Sequence, residues 1–281
     1  MVEYNAPIRD YDFLFNEMFD AIPIAQRLGY DFDSDFFSML TEGWADHTKE
    51  VWLPINQLGD REGLKFNDGN ISMPIEFKSA YNKSKEGGWL STACKPEHGG
   101  MGVPVFFQAV TWAEIGTSTN MAMSVLPALT LGVYDVLIEH GESSLVDYFA
   151  THLASGDWSG TMCLTEPHAG TDLGIISTKA VPQDDGTYRV TGTKIFITYG
   201  EHDMTENIVH LVLAKTPDAP EGTKGISLFL VPKFLPSDWE SGDLAGISHD
   251  ICSEHNGVTC SGSEEKMGIH ASPTCVMNFD D

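Results

Sequence analysis

The sequence predicts an α+β protein in which an all-α region precedes an antiparallel β region. Before about residue 156, apolar and aromatic residues recur at helical spacing; after it, short β-branched and aromatic runs are separated by turn residues. The 281 residues suffice for a large core and two domains. We therefore expect an N-terminal extension over residues 1–35, a helical domain over 36–156 and a β domain over 157–281.

Caps and prolines place the helices. Asp33 has the kind of side chain that caps a helix, and Pro54 is expected to end or kink the helix that follows. Ser72 and Pro74 predict the start of another helix, which we expect to stop at Gly87. The remaining helices are predicted over about 12–19, 105–115, 122–139 with an internal break, and 144–153, with an irregular turn over 96–104.

The β region is defined by short apolar runs bounded by turn residues. The run Gln183–Gly186 contains Asp-Asp-Gly and predicts a hairpin. The polar, Gly/Ser-rich stretch 236–262 is expected to be a long surface excursion. Strands are predicted over 161–164, 188–191, 194–197, 208–214, 226–231 and 274–278.

Composition narrows the function classes. The chain carries 41 acidic and 16 basic residues, a formal charge of −25, which disfavours nucleic acid and anionic membranes as partners. Its five scattered cysteines favour a reducing compartment. The N-terminus shows no signal-peptide pattern, and the apolar window 120–138 is interrupted by proline, glycine and aspartate. We expect a cytoplasmic protein without a membrane span.

One segment has the residue types that bind a flat, hydrogen-bonding ring. Met162 and Leu164 alternate along a strand and share a face that can pack on such a ring. Thr165 ends the strand with a hydroxyl and a backbone N–H. Gly170 removes Cβ bulk where a ligand could approach, and Thr171 adds a further donor.

A second segment adds an aromatic face. Phe196 stands two positions before Thr198 in a predicted strand, so both side chains point to the same side. Taken alone, each segment has a plainer interpretation, because the first could be an ordinary loop and Phe196 an ordinary core residue. Their order and spacing together favour a flavin site.

These motifs resemble those of acyl-CoA dehydrogenases. Thr165–Asp172 reads Thr-Glu-Pro-His-Ala-Gly-Thr-Asp and is similar to the family's Thr-Glu-Pro-x-Ala-Gly-Ser/Thr-Asp turn. Gly192–Gly200 is similar to its Gly-x-Lys-x-Trp/Phe-Ile-Thr-x-Gly strand, with phenylalanine where tryptophan is common. His168 replaces a frequent glycine, so the turn could differ locally. Two further matches are Pro96–Gly102 and Lys266–Thr274, and the N-terminal stretch resembles the extension of a longer branch that acts on a sulfur-containing propionyl thioester.

The resemblance implies FAD-dependent α,β-dehydrogenation of an acyl-CoA, with electrons passed to electron-transfer flavoprotein or a similar acceptor, and a homo-oligomer at full length. A medium straight-chain acyl-CoA is the alternative substrate. Thr171 would also lie near the substrate. The residues that the resemblance assigns to FAD are Met162, Leu164, Thr165, Gly170, Thr171, Phe196 and Thr198.

No catalytic residue is assigned in this sequence. In the family the catalytic glutamate comes from a C-terminal helical bundle that these residues do not include, so we expect the front portion of a longer enzyme, inactive by itself. Glu166 lies in the turn motif, but the resemblance implies that its family counterpart is not the catalytic base. Glu97 and Glu114 are interpreted as structural or pocket-lining. A non-catalytic partner with the same fold is an alternative.

A DNA-binding relative within the same family is a further alternative, which the charge of −25 disfavours. A metal site is another. Zinc could be held by His249, Cys252, His255 and Cys260, although they lack a clean paired-ligand pattern.

Overall fold

The structure is a computed structural model that describes residues 3–235 and 254–280. Helices form its first part, as the sequence predicts. Phe15 of the aromatic segment is buried and stacks on Phe37 with ring centroids 4.6 Å apart. The helices are α1 (Ile8–Asp12), α2 (Ala21–Arg27), α3 (Ser34–His47), α4 (Leu53–Glu62), α5 (Ile75–Glu86), α6 (Val105–Phe107), α7 (Ala113–His140) and α8 (Ser143–Ser155), with π turns at Phe13–Met18, Thr48–Trp52 and Gln108–Trp112.

In the α3–α4 run the predicted cap at Asp33 is confirmed, and the helical run continues past Pro54. Asp33 caps α3, since its carboxylate accepts a hydrogen bond of 2.7 Å from the Phe36 amide. Pro54 does not end the helical run. It stands in the first turn of α4, directly after a π turn, where the backbone ladder has already shifted register.

The long helix α7 is interrupted at Asn120 rather than within 122–139. Asn120 has non-helical angles (φ −157°, ψ 94°), and its side chain accepts from the Met123 amide at 3.0 Å while donating to the Trp52 carbonyl at 3.1 Å. The helix continues through Pro127. The run Val105–His140 is long and apolar enough to cross a membrane, but 56% of its most apolar window is buried inside the protein. We interpret it as a core helix.

A mixed β-sheet follows Gly156, whose φ of +78° ends α8. In the described residues its order is β10-β11-β5-β4-β6-β3, with β7 paired to β6. Most neighbours are antiparallel, but β6 runs parallel to both β3 and β4, which corrects the purely antiparallel prediction. The strands are β1 (Lys65–Asn67), β2 (Asn70–Ser72), β3 (Trp158–Cys163), β4 (Lys179–Pro182), β5 (Tyr188–Thr198), β6 (Asn207–Lys215), β7 (Ile226–Pro232), β8 (Phe234–Leu235), β9 (Glu254–His255), β10 (Val258–Ser263) and β11 (Thr274–Asp280).

The predicted hairpin at 183–186 joins β4 to β5. The two strands predicted at 188–191 and 194–197 form the single strand β5. Gly192 does not interrupt it, because that glycine lies against Thr178, whose Oγ1 would be 2.4 Å from an added Cβ. Close packing therefore explains this glycine better than a turn does.

The predicted surface excursion falls partly outside the described residues. Of the stretch 236–262, residues 236–253 are not described, and residues 258–262 belong to β10, which pairs with β11. Two of the four zinc candidates, His249 and Cys252, lie outside the description as well. Among the described residues, no group of three or more His, Cys, Asp or Glu side chains could hold a metal ion.

Candidate functional site

The site is built at the end of β3, where the chain turns over residues 165–172. Glu166 and Ala169 exchange backbone hydrogen bonds of 2.9 and 3.0 Å and close a tight turn. Apart from Gly170 itself and its two chain neighbours, no atom of the described residues lies within 4 Å of the position that a Cβ of Gly170 would take. The space beside Gly170 is therefore open, as expected for a backbone that a ligand approaches.

The Glu166 carboxylate anchors this turn. It is buried and accepts hydrogen bonds from the amide and hydroxyl groups of both Ser177 and Thr178, at 2.6 to 3.0 Å. It also accepts a hydrogen bond of 2.9 Å from Nζ of Lys194, which is fully buried on β5. The same Nζ donates a second hydrogen bond, of 3.1 Å, to the carbonyl oxygen of Leu164. Three segments of the chain meet at this carboxylate.

The same contacts set the charge of the pair. Burial alone would raise the pKa of Glu166, but the hydrogen bonds from Thr178, Ser177 and Lys194 outweigh it and lower that pKa to about 2. Burial lowers the pKa of Lys194, against the opposing effect of Glu166. An ionised carboxylate held by this many donors is a poor proton acceptor, so we interpret Glu166 as an anchor of the turn rather than a base.

A β-bulge in β5 presents the aromatic face. Cys275 of β11 is opposite Ile197 and Met277 is opposite Lys194, so one residue of β11 spans two of β5. Phe196 lies in this bulge with a φ of +60°, and its side chain is 54% exposed. A bulky residue in the left-handed region is uncommon and is found where the surrounding structure fixes it.

The structure brings the two predicted segments together. The Ile195 amide donates to the Thr165 carbonyl at 2.8 Å, which joins the turn to the bulge. At the end of β3, Met162 is 36% exposed between the buried residues Thr161 and Cys163, and Leu164, directly after the strand, is half-buried. The end of β3 and the bulge of β5 therefore lie side by side.

The side chains of this region fit a flavin. Phe196 and Met162 offer exposed apolar surface in a protein whose other aromatic side chains are mostly packed. Within the described residues, the hydroxyl groups of Thr165, Thr171 and Thr198 have no hydrogen-bond partner. Apolar surface for a ring face, hydroxyls for its polar edge and open space beside Gly170 are what a flavin requires.

His168, the departure from the family turn, has a local partner. It is exposed, its Nε2 lies 3.1 Å from the Ile175 carbonyl oxygen, and the same atom is 3.6 Å from Glu166 Oε2. A carbonyl only accepts, so Nε2 carries the proton in this contact. The histidine thus joins the tip of the turn to the segment that follows it.

The loop at residues 96–102 is held by Tyr134. Its hydroxyl accepts from the Lys95 amide at 2.9 Å and contacts His98 Nδ1 at 2.8 Å. Glu97 in this loop is 65% exposed beside Lys95. Gly100 packs on the Cys94 carbonyl oxygen, 2.0 Å from an added Cβ, so this glycine is required by the loop itself.

Lys194 and Tyr199 are the residues that sequence reasoning missed. In the sequence, Lys194 resembles an ordinary surface lysine. The alternation of side chains between the two faces of β5 could have indicated that Lys194 points inward. Tyr199 follows Thr198, has a φ of +54° and is fully buried. Its left-handed backbone depends on tertiary packing and leaves no mark in the sequence.

Taken together, helices followed by this mixed sheet define an acyl-CoA dehydrogenase-like fold. A solved acyl-CoA dehydrogenase from Bacillus anthracis, complexed with FAD, superposes with a TM-score of 0.66 at 22% identity, covering 89% of this chain and 36% of that one. The fold is therefore shared, and sequence comparison defines the family.

Residues 161–281 match the family model described as acyl-CoA dehydrogenase, middle domain. The chain is 42% identical over 278 residues to 3-methylmercaptopropionyl-CoA dehydrogenase of Ruegeria pomeroyi, covering 99% of this chain and 45% of that protein. It is 37% identical over 281 residues to a butyryl-CoA dehydrogenase of Syntrophomonas wolfei, and this match covers 96% of this chain and 43% of that protein. The chain belongs to the acyl-CoA dehydrogenase family, and it spans less than half the length of these two relatives.

Proposed function

We propose that this chain is part of a flavin-dependent dehydrogenase that oxidises an acyl-CoA thioester to the enoyl-CoA. The observation that carries the proposal is the junction of the 165–172 turn with the bulge at Phe196, joined by the hydrogen bond between Ile195 and Thr165. Family membership supports the same conclusion.

In this proposal the chain's own residues seat FAD. Phe196 covers one face of the flavin ring, and Met162 and Leu164 pack beside it. Thr165, Thr171 and Thr198 offer hydroxyls to its polar edge, and Gly170 leaves space for it. When bound, FAD supplies the acceptor for the hydride that leaves the β carbon of the acyl group. Proton abstraction from the α carbon is assigned to no residue described here, because Glu166 is committed to Lys194 and its pKa is held at about 2.

The proposed substrate is a propionyl thioester carrying sulfur, such as 3-methylmercaptopropionyl-CoA. Its support is the relative from Ruegeria pomeroyi, which bears that name and matches nearly the whole chain. A straight-chain acyl-CoA is the second candidate, supported by the butyryl-CoA dehydrogenase match, and it ranks second because that match has the lower identity of 37%. Electron-transfer flavoprotein as acceptor, a cytoplasmic location and a homo-oligomer are parts of the same proposal.

The test uses the full-length natural protein that contains these residues. We expect a yellow protein whose flavin absorbance is bleached under anaerobic conditions by an acyl-CoA. Titrations with 3-methylmercaptopropionyl-CoA, butyryl-CoA and octanoyl-CoA rank the substrates by kcat/KM, and the first is expected to be preferred. A protein without flavin, or a flavin that no acyl-CoA bleaches, would contradict the proposal. Bleaching with a preference for octanoyl-CoA would contradict only the substrate.

A variant at Gly170 tests where FAD binds. Gly170→Val adds bulk where no protein atom stands, so we expect folding to be unaffected and the Kd for FAD to rise at least about tenfold. Gly262→Val is the matched control, since Gly262 also has no atom within 4 Å of an added Cβ and lies on β10. Equal FAD affinity in the two variants would remove Gly170 from the site.

A further inference from the structure

The hydroxyl of Tyr199 links the candidate flavin strand to the interruption in helix α7. Tyr199 follows Thr198 directly, and its hydroxyl donates to the carbonyl oxygen of Ala122 at 2.6 Å. Ala122 lies two residues after Asn120, where α7 is broken. Both partners are buried, at 0% and 3% exposure, so the hydrogen bond is shielded from water.

The backbone of Tyr199 is held as firmly as its side chain. Its amide donates to the Pro273 carbonyl at 2.8 Å, and its ring packs edge-on against His202 with centroids 5.4 Å apart. Burial raises the pKa of the Tyr199 hydroxyl, so it remains a donor throughout the range in which proteins are stable. The amide and the hydroxyl of Tyr199 therefore both have hydrogen-bond partners.

The φ of +54° at Tyr199 is unusual for a large aromatic residue. Asn and Gly adopt this region more readily, and a bulky side chain persists there only where contacts over-determine it. Phe196, three residues earlier, is also left-handed at +60°. The two residues therefore bracket Ile197 and Thr198, and the hydroxyl of Tyr199 fixes the second end of this four-residue segment.

We propose that Tyr199 is a positioning residue, which places Thr198 and Phe196 for the cofactor by fixing the end of β5 to the broken turn of α7. The inference rests on the proposed function, because it concerns the same site. It assigns Tyr199 no contact with substrate or cofactor. The helical part and the sheet part share one buried apolar cluster that includes Trp112, Ala122 and Tyr199, so the link runs through packed protein.

Tyr199→Phe in the full-length holoenzyme is the test, because it removes one oxygen and keeps the ring. The matched control is Tyr188→Phe, the same change at an exposed position of the same strand. We expect Y199F to keep its FAD but to lower kcat about tenfold, with KM within about twofold of wild type, and to shift the flavin absorbance maximum. Y188F should match wild type in each measurement.

A second readout needs no cofactor. In flavin-free protein, hydrogen exchange should quicken in Y199F both at residues 196–200 and at residues 118–124, because one bond holds both segments. Tyr199→Asn should relieve the backbone conformation yet reproduce the kcat loss, since it cannot reach Ala122.

The outcomes separate this inference from the proposed function. If wild type is active and Y199F loses thermal stability while keeping kcat and the flavin spectrum, Tyr199 is structural and this inference alone is overturned. Wild-type kcat in Y199N overturns it too. If wild-type protein binds no flavin, the proposed function fails and this inference fails with it.

Discussion

Glu166 and Lys194 form a buried ion pair with a distance of 2.9 Å between Oε1 and Nζ, and neither side chain is more than 1% exposed. Lys194 comes from β5 and Glu166 from the turn after β3. The lysine also binds the Leu164 carbonyl, and the carboxylate binds Ser177 and Thr178. The pair therefore fixes the position of the turn relative to the strand that carries Phe196.

Removing the lysine should leave Glu166 charged and short of one partner in the interior. We expect Lys194→Met to lower the free energy of unfolding by about 3 kcal/mol, measured by urea denaturation. Lys179→Met is the control, because Lys179 is an exposed lysine of the neighbouring strand β4. A loss no larger than that of the control would show that the pair adds nothing to stability.

The depressed pKa of Glu166 predicts a specific acid sensitivity. A carboxyl whose folded pKa is below its ordinary value of 4.5 stabilises the fold above pH 4.5, and this stabilisation is lost as the pH falls towards about 2. The difference corresponds to about 3 kcal/mol. Glu166→Gln should therefore be less stable than wild type at pH 7. The difference in free energy of unfolding between the two proteins should become smaller as the pH falls from 4.5.

Urea denaturation at a series of pH values measures how the stability difference between wild type and Glu166→Gln changes with pH. Glu97→Gln is the control, because the Glu97 side chain is 65% exposed and its removal should leave the pH profile of stability unchanged. A gap between wild type and Glu166→Gln that stays constant from pH 7 to pH 3 would contradict the assignment of this acid-sensitive stability to Glu166.

The sequence alone named those candidate site residues that depend on local residue types. Gly170, Thr171 and Thr198 could be named as candidates because turns and strand alternation are local properties. The bulge at Phe196 was not, because it depends on how β11 aligns with β5. Likewise Lys194 became visible as a buried partner only once Glu166 was placed beside it.

In the fold, too, elements set by local residues were predicted, whereas elements set by tertiary packing were not. Asp33 was predicted as a cap from its own side chain. Pro54 does not end the helical run, because it stands in the first turn of α4, where a proline's missing N–H is tolerated. The parallel pairing of β3 with β6 was missed because strands distant in sequence choose their partners through tertiary packing. Strand β10 was missed because Gly262 and its serine neighbours resemble a loop.

The last prediction concerns the strained aromatic residue. Phe196→Gly removes a side chain that is 54% exposed and relieves a backbone φ of +60°, a region that glycine adopts freely. We expect the free energy of unfolding of flavin-free protein to stay within about 1 kcal/mol of wild type or to rise. The Kd for FAD should increase at least about tenfold, because the ring loses its aromatic cover.

Phe66→Gly is the comparison for Phe196→Gly. Phe66 is 42% exposed on β1, which pairs with β2 in a two-stranded sheet separate from the one that contains β3 and β5. It lacks the left-handed backbone of Phe196, so glycine there should destabilise the fold while leaving FAD affinity unchanged. Titration of apo-protein with FAD, followed by flavin fluorescence, measures the affinity of each variant. If Phe196→Gly destabilised the fold and bound FAD as wild type does, Phe196 would be a packing residue and the flavin site would have to be sought elsewhere.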